Sequence, residues 1–280
     1  MKALSSYKVG LCQFVVREGK QQNLDRARES IETAVRRGAK LVVLPEMFNC
    51  PYDTAFFADY AEGVPAGPSC RMLSEAAGDF KVHIVGGSLP ERQGQRVYNT
   101  SVVFNPQGRL IARHRKIHLF DVSLKTVRMR ESDVLSPGSL VTVFPTPFGS
   151  MGLLVCYDAR FPELFRLMLK KGIAAVVMPA AFSRETGSSH WHALVRARAM
   201  DNQIYMLACS PARGPSAGYQ AYGHSLVADP WGRILAEAGE REGVVIAELE
   251  KARLTDVRSR LPLLAHRRTD LYDVIAKRKE

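Results

Sequence analysis

Three residues of this chain could do nucleophilic chemistry together, and each stands near the end of an extended or apolar run. Cys156 follows the apolar run 150–155 and precedes Tyr157, Asp158, Ala159 and Arg160. A thiol where a buried strand gives way to a helix start can be activated, because the helix N-terminus lowers its pKa and offers free N–H groups to an oxyanion. Such a thiol needs a base and a charge stabiliser. His114, His118, His190, His192 and His224 are all possible bases, yet none lies in a recognisable protease signature. The alternative is a carboxylate at another strand end. Glu46 follows the apolar residues 41–44 and Pro45, and a buried glutamate beside a thiol can have its pKa raised enough to exchange protons near neutrality. Lys116 stands in Arg113-His-Arg-Lys-Ile-His-Leu-Phe-Asp121, where a cation beside the thiol would stabilise thiolate and oxyanion alike. Taken singly, each has an ordinary reading: a structural cysteine, a loop charge and a basic surface segment.

The elements that must position these residues alternate between β-branched runs and helical patterns, which argues for an α/β architecture. Strands are expected over 7–14, 41–44, 83–86, 141–144, 151–155, 174–178 and 204–209, and helices over 24–37, 69–80, 162–171 and 190–202. The 98–112 segment, a hairpin, resembles 222–236, each turning at Asn/Asp-Pro-x-Gly, and residues 41–45 resemble 175–179. Two similar halves suggest two like sheets packed face to face with helices outside. Since no low-complexity linker divides them, a single domain over 1–280 is expected. Residues 250–280 form a C-terminal arm, with Leu261, Leu263, Leu264, Leu271 and Tyr272 in a polar context, that packs on the body or on a partner subunit.

Composition narrows the function. The chain has 280 residues, 46% of them hydrophobic, which is enough for a sizeable core. No apolar run approaches the roughly 20 residues of a membrane span, and residues 1–8 lack the apolar stretch of a signal peptide. Five cysteines form an odd set with no Cys-x-x-Cys pair, so a reduced, cytoplasmic protein with neither disulfide framework nor zinc cluster is expected. The net charge of +11 is compatible with nucleic acid, a membrane surface or an anionic small substrate. It is dispersed apart from clusters at 258–268 and 277–279, and with no basic stripe interleaved with aromatics it reads as a solvated surface rather than a nucleic-acid site.

Leu-Pro-Glu46, Arg-Lys116-x-His-Leu-Phe and Cys156-Tyr-Asp-x-Arg, in that order, together resemble the nitrilase (carbon-nitrogen hydrolase) superfamily, and the resemblance runs over essentially the whole chain. It implies a four-layer αββα sandwich that associates through the nucleophile-side helices into an αββα–αββα homodimer or a higher oligomer. It implies no metal and no organic cofactor. It also implies a Glu46-Lys116-Cys156 triad, an oxyanion contact from the Tyr157 N–H, and an accompanying Glu131 that orients Lys116 or substrate or forms a structural salt bridge. In that chemistry Glu46 takes the thiol proton, Cys156 attacks the amide carbon, and water later resolves a thioester.

Residues 181–202, with Ser-Pro-Ala-Arg at 210–213 and Tyr222-Gly-His-Ser225, resemble the branch of omega-amidases and deaminated-glutathione amidases, and look more like the former. That implies hydrolysis of the terminal amide of short dicarboxylic monoamides such as 2-oxoglutaramate and 2-oxosuccinamate. A substrate carrying a remote carboxylate needs a fixed cation and hydroxyls, which Arg160 and Tyr52 can supply. A salt bridge to Glu163 and plain core packing are their ordinary readings. Phe182 and Thr186 are expected on the pocket wall. Two features depart from the omega-amidase pattern: Tyr222 stands where those enzymes have tryptophan, and the basic loop 122–130, expected at the entrance, lacks their Pro-Gly pattern. Alternative readings are a deaminated-glutathione amidase, another carbon-nitrogen hydrolase acting on N-carbamoyl or aliphatic amides, and a catalytically silent binding subunit.

Overall fold

The computed structural model describes residues 5–214 and 219–277. Its first half runs β1 (Ser6–Gln13), α1 (Lys20–Arg36), β2 (Leu41–Val43), α2 (Thr54–Tyr60), α3 (Pro68–Phe80), β3 (His83–Val85), β4 (Leu89–Gln93), β5 (Arg96–Phe104) and β6 (Leu110–Arg115), followed by a small hairpin, β7 (Asp121–Ser123) and β8 (Arg128–Arg130). The second half runs β9 (Thr142–Thr146), β10 (Gly149–Leu153), α4 (Pro162–Leu169), β11 (Ala175–Pro179), α5 (Arg184–Asn202), β12 (Tyr205–Cys209), β13 (Leu226–Ala228), β14 (Ile234–Glu237), β15 (Gly243–Glu250) and α6 (Lys251–Arg260).

Strand periodicity builds the layers. Side chains alternate faces along a strand, so Leu41 and Val43 of β2 face the core between the sheets while Val42 packs outward under α1 and α3. In β11, Ala175 and Val177 join that same inter-sheet core while Val176 and Met178 turn outward to meet Phe165 of α4 and Trp191 and Val195 of α5. These side chains are essentially excluded from solvent, each large aliphatic one contributing about 1.5–3 kcal/mol by burial. The result is the αββα sandwich. One sheet is ordered β15-β1-β2-β3-β5-β4 with β6 beside β5, the other β14-β13-β12-β11-β10-β9.

The internal likeness is structural. In both hairpins, β5–β6 and β13–β14, the register slips at the equivalent pair, Val103/Phe104 and Val227/Ala228. Asn105 Oδ1 accepts the N–H groups of Gln107 and Arg109, and Asp229 Oδ1 accepts those of Trp231 and Arg233. Gly108 and Gly232 close the turns at φ of 70° and 78°, which glycine adopts without strain.

Several boundaries differ from expectation. The strand before Cys156 ends at Leu153 rather than 155, α5 begins at Arg184 rather than 190 because Ser183 caps it, and Leu24 lies inside a helix that starts at Lys20. In the first half α2, β4 and the β7–β8 hairpin were not expected. In α2, seven residues capped by Asp53, only Phe57 is buried, too little to set a period; β4 carries Pro90 and polar residues. Beyond α6 the arm lies against its own body, with Lys170 Nζ donating to Asp273 Oδ2 at 2.6 Å and to the Val274 carbonyl at 2.7 Å. It leaves Leu271, Tyr272 and Ile275 exposed. Among the described residues no helix is long and apolar enough to cross a membrane.

Candidate active site

Glu46 leaves the end of β2, Lys116 the end of β6, and Cys156 follows β10 in the facing sheet, so strands from both sheets deliver charged or reactive groups to one buried cluster. The turn carrying Glu46 is closely built. Met47 there has φ 51°, its N–H donates to Ser88 Oγ, and a Cβ on Gly87 would come 2.0 Å from the Pro45 carbonyl oxygen, a contact only glycine permits.

Lys116 Nζ lies 3.0 Å from Glu46 Oε1 and 2.9 Å from Glu131, all three fully buried. Asn99 of β5 serves both Glu46 and Lys116. Its Nδ2 donates to Glu46 Oε1 at 2.8 Å, and its carbonyl accepts the Lys116 N–H at 2.8 Å. Glu131 is held in turn by the Tyr52 hydroxyl at 2.9 Å and the Phe120 N–H at 2.7 Å. Burial alone would push the Lys116 ammonium down, but the carboxylates of Glu131 and Glu46 outweigh it and hold its pKa above the usual range. One ammonium cannot fully compensate two carboxylates. Burial, with Glu131 adding repulsion, raises Glu46 above an ordinary glutamate despite Lys116. Its second oxygen, Oε2, is buried without a hydrogen-bond partner among the described residues.

Cys156 opens a 3-10 turn, Cys156–Arg160, with φ of 48°. The expectation of a thiol acidified by a helix start is corrected here. The helix α4 begins only at Pro162, and burial followed by the nearby Glu46 carboxylate push the thiol well above its ordinary pKa, against a lowering by Lys116. The N–H of Asp158 bonds to the Val155 carbonyl.

Asp158 joins the nucleophile turn to the lysine segment. Its carboxylate accepts N–H groups from Val155, Ile117 and His118, and both His114 Nε2 (3.0 Å) and His118 Nδ1 (2.9 Å). Burial would raise its pKa, but these imidazoles and amides hold the carboxyl well below the usual range. Two of the candidate histidine bases are thus engaged with Asp158. His190 meets Arg160, and His192 and His224 both meet Glu237.

The Arg160 guanidinium, expected to meet substrate, lies 4.9 Å from the Phe182 ring centroid and 5.8 Å from that of Tyr157. Among the described residues it forms no ion pair, Glu163 included; its NH1 is 3.2 Å from His190 Nδ1. Phe182 is also core, edge-on to Trp191. The Thr186 hydroxyl meets Ser183 Oγ at 3.1 Å within the α5 cap. A small cavity of ≈ 60 Å³ opens beside Glu46, walled by Met47, Cys50, Tyr52, Ala181 and Tyr219. Tyr219, which the sequence did not single out, packs against Tyr52 with ring centroids 4.6 Å apart and planes tilted by 47°, and donates to the Ala181 carbonyl. The basic loop folds as β7–β8, packs Val122, Val127 and Met129 toward Tyr52, and is fastened to α5 by Glu185, which accepts the Thr126 N–H and hydroxyl.

Residues 8–259 match the family described as Carbon-nitrogen hydrolase. The chain is 45% identical over 276 residues to omega-amidase NIT2-A of Xenopus laevis, covering 98% of this chain and 100% of that protein. It is 46% identical over 272 residues to omega-amidase NIT2 of Danio rerio, covering 97% and 98%. Among solved structures, Saccharomyces cerevisiae Nit3, a member of branch 10 of the nitrilase superfamily, superposes with a TM-score of 0.88 at 45% identity, over 95% of this chain and 98% of that one.

Proposed function

Because the chain belongs to the carbon-nitrogen hydrolase family of the nitrilase superfamily and is a hydrolase of non-peptide amides, we propose that its reaction is cysteine-dependent hydrolysis of the terminal amide of a short dicarboxylic acid monoamide, with 2-oxoglutaramate and 2-oxosuccinamate as its substrates. The observation that carries the catalytic part is the unpartnered Oε2 of Glu46 in a buried site beside a thiol whose pKa is raised. Such a thiol reacts only if a base removes its proton during attack.

In this reading Glu46 takes the proton as Cys156 Sγ bonds to the amide carbon. Lys116 and the Tyr157 N–H hold the oxyanion, a cation and a fixed dipole being most effective where water is excluded. The tetrahedral adduct collapses, the C–N bond breaks, and Glu46 returns the proton to the departing ammonia. A water then gives its proton to Glu46 and its oxygen to the thioester carbon, releasing the acid and restoring the thiol. Amide and water thus become acid and ammonia, with no cofactor needed. Glu131 shares the lysine with Glu46 and keeps its ammonium in place.

Arg160 supports the choice of an anionic substrate. Among the described residues it carries a charge with no carboxylate partner, beside the Phe182 ring, and a guanidinium binds a carboxylate through paired N–H donors. Tyr52 lines the cavity, its hydroxyl engaged by Glu131 in this state, whereas Thr186 is held in the α5 cap and does not line it. The test is ammonia release from 2-oxoglutaramate, glutamine, a longer tripeptide-like amide, a nitrile and an N-carbamoyl amino acid. Turnover is expected on the first; activity confined to the last two would overturn the reading.

The reading extends to the whole protein: one domain over 1–280, placed in the cytoplasm, where its five buried free cysteines stay reduced. It assembles as a homodimer or higher oligomer through α4 and α5. The exposed Leu271, Tyr272 and Ile275 of the arm support a second copy as neighbour. Light scattering on the chain lacking residues 261–280 tests this, with an unchanged oligomer counting against the arm.

A further inference from the structure

We propose that His192, His224 and Glu237 form a binding site for one divalent cation of the zinc class, at the edge of the second sheet and outside the Glu46-Lys116-Cys156 cluster. His192 lies on α5, His224 in the turn before β13, and Glu237 at the end of β14. His192 Nε2 is 2.7 Å and His224 Nδ1 2.8 Å from the same carboxylate oxygen, Glu237 Oε1. One ligand atom from each of the three residues falls within 4.8 Å of the others. Two imidazoles and a carboxylate are a common set for zinc with a fourth position left to water, and ligand atoms around one such ion stand about 3.3 Å apart. The two nitrogen-to-oxygen contacts are hydrogen-bond lengths that open by about 0.5–0.6 Å to reach that spacing, and the two nitrogens already lie within 4.8 Å of each other.

The ligands are held before any ion arrives. His224 adopts φ of 57°, its carbonyl accepts Trp191 Nε1 at 2.7 Å, and its N–H donates to the Gly239 carbonyl at 2.9 Å. The Tyr222 ring stacks on its imidazole at 4.4 Å, and the His192 ring stands edge-on to both. Side-chain exposures of 34%, 22% and 29% for His192, His224 and Glu237 leave the open side to solvent, so an ion can enter and keep a water. Imidazole donors favour zinc, nickel and copper over magnesium and calcium. Bound there, an ion would pin α5 to the β13–β14 hairpin.

The experiment titrates chelator-stripped full-length protein with zinc chloride by calorimetry and records cobalt(II) absorption on the same preparation. One ion per chain is expected, with cobalt bands of nitrogen and oxygen ligation. Binding should weaken at least tenfold in both His192→Gln and Glu237→Gln; glutamine at 192 can still bond to Glu237, so the fold is kept, which circular dichroism checks. No saturable uptake, uptake that survives both replacements, or a thiolate-to-cobalt band marking a cysteine as the ligand would each overturn the proposal.

Discussion

The backbone N–H of His118 donates to the Asp158 carboxylate at 2.9 Å, and this bond joins the two halves of the site. Lys116 lies two residues before the donor and Cys156 two before the acceptor. The segment carrying the cation and the turn carrying the thiol therefore cannot shift independently. Strand ends deliver them to the same place, and Asp158 sets their relative position.

Replacing Asp158 by alanine should cost about 3 kcal/mol, because it leaves the buried His114 ring and the Val155, Ile117 and His118 N–H groups without their acceptor. It should also lower kcat about 10²-fold, the scale of an ångström's misplacement at a reacting centre. The folded pKa lies below the unfolded value of about 3.9, so the stabilisation is complete above that pH and is lost as pH falls through the depressed folded value. Asp158→Asn should accordingly flatten the decline of stability below about pH 4. Urea melts at pH 7 and pH 3.5 check this, and an unaltered pH dependence in the variant would refute the assigned role.

For Glu46 the sign runs the other way. Burial raises its pKa, and a base must be ionised to act, so kcat/KM should fall on the acid side at a pH above the ordinary glutamate value of about 4.3. Glu46→Gln should reduce kcat by about 10²–10⁴-fold and remove that limb. Alkylation of Cys156 by iodoacetamide should slow in the same variant, since the thiol loses its base. Alkylation proceeding at the parental rate would point to another base.

Much of the site was legible because Glu46, Lys116 and Cys156 each follow a segment whose pattern marks it as extended, and their order matched a known arrangement. The paired halves could likewise be read from Asn105-Pro-x-Gly and Asp229-Pro-x-Gly, because a turn is a local property. What could not be read depends on contacts far apart in sequence. Asp158 stood in the motif, but its partners His114 and His118 are 44 and 40 residues away. Asn99 lies inside an expected hairpin, and nothing local marks it as the bridge between Glu46 and Lys116. The direction of the thiol's pKa depends on burial from all sides, which a flanking helix signal does not report. Tyr219 sits in a polar stretch whose neighbours give no hint of the aromatic contact with Tyr52.

Glu131 offers a test that separates charge from position. Its carboxylate raises Glu46 and binds Lys116. Glu131→Gln keeps the shape but removes one of the two negative charges, so Glu46 should ionise more readily and the acid limb of kcat/KM should move to lower pH. The ammonium loses part of its anchor, and kcat should fall about tenfold, the loss of one charge-assisted bond of about 1.5 kcal/mol. A pH profile displaced upward would contradict this charge accounting.

Arg160 distinguishes binding from chemistry. If its guanidinium meets the substrate's remote carboxylate, the pair contributes about 1.5–3 kcal/mol, equivalent to about 10- to 150-fold in affinity. Arg160→Met should then raise KM for 2-oxoglutaramate by that factor while leaving KM for an uncharged amide of equal length close to the parent's. Arg160→Lys should recover only part of the loss, because a point charge cannot reproduce the paired donors. The guanidinium also stacks on Phe182, so a purely structural role predicts a different pattern: both substrates would suffer alike, and thermal stability would drop with them. Steady-state kinetics on the two amides, with melting curves of each variant, decide between these outcomes, and an equal loss on both substrates would remove Arg160 from the carboxylate pocket.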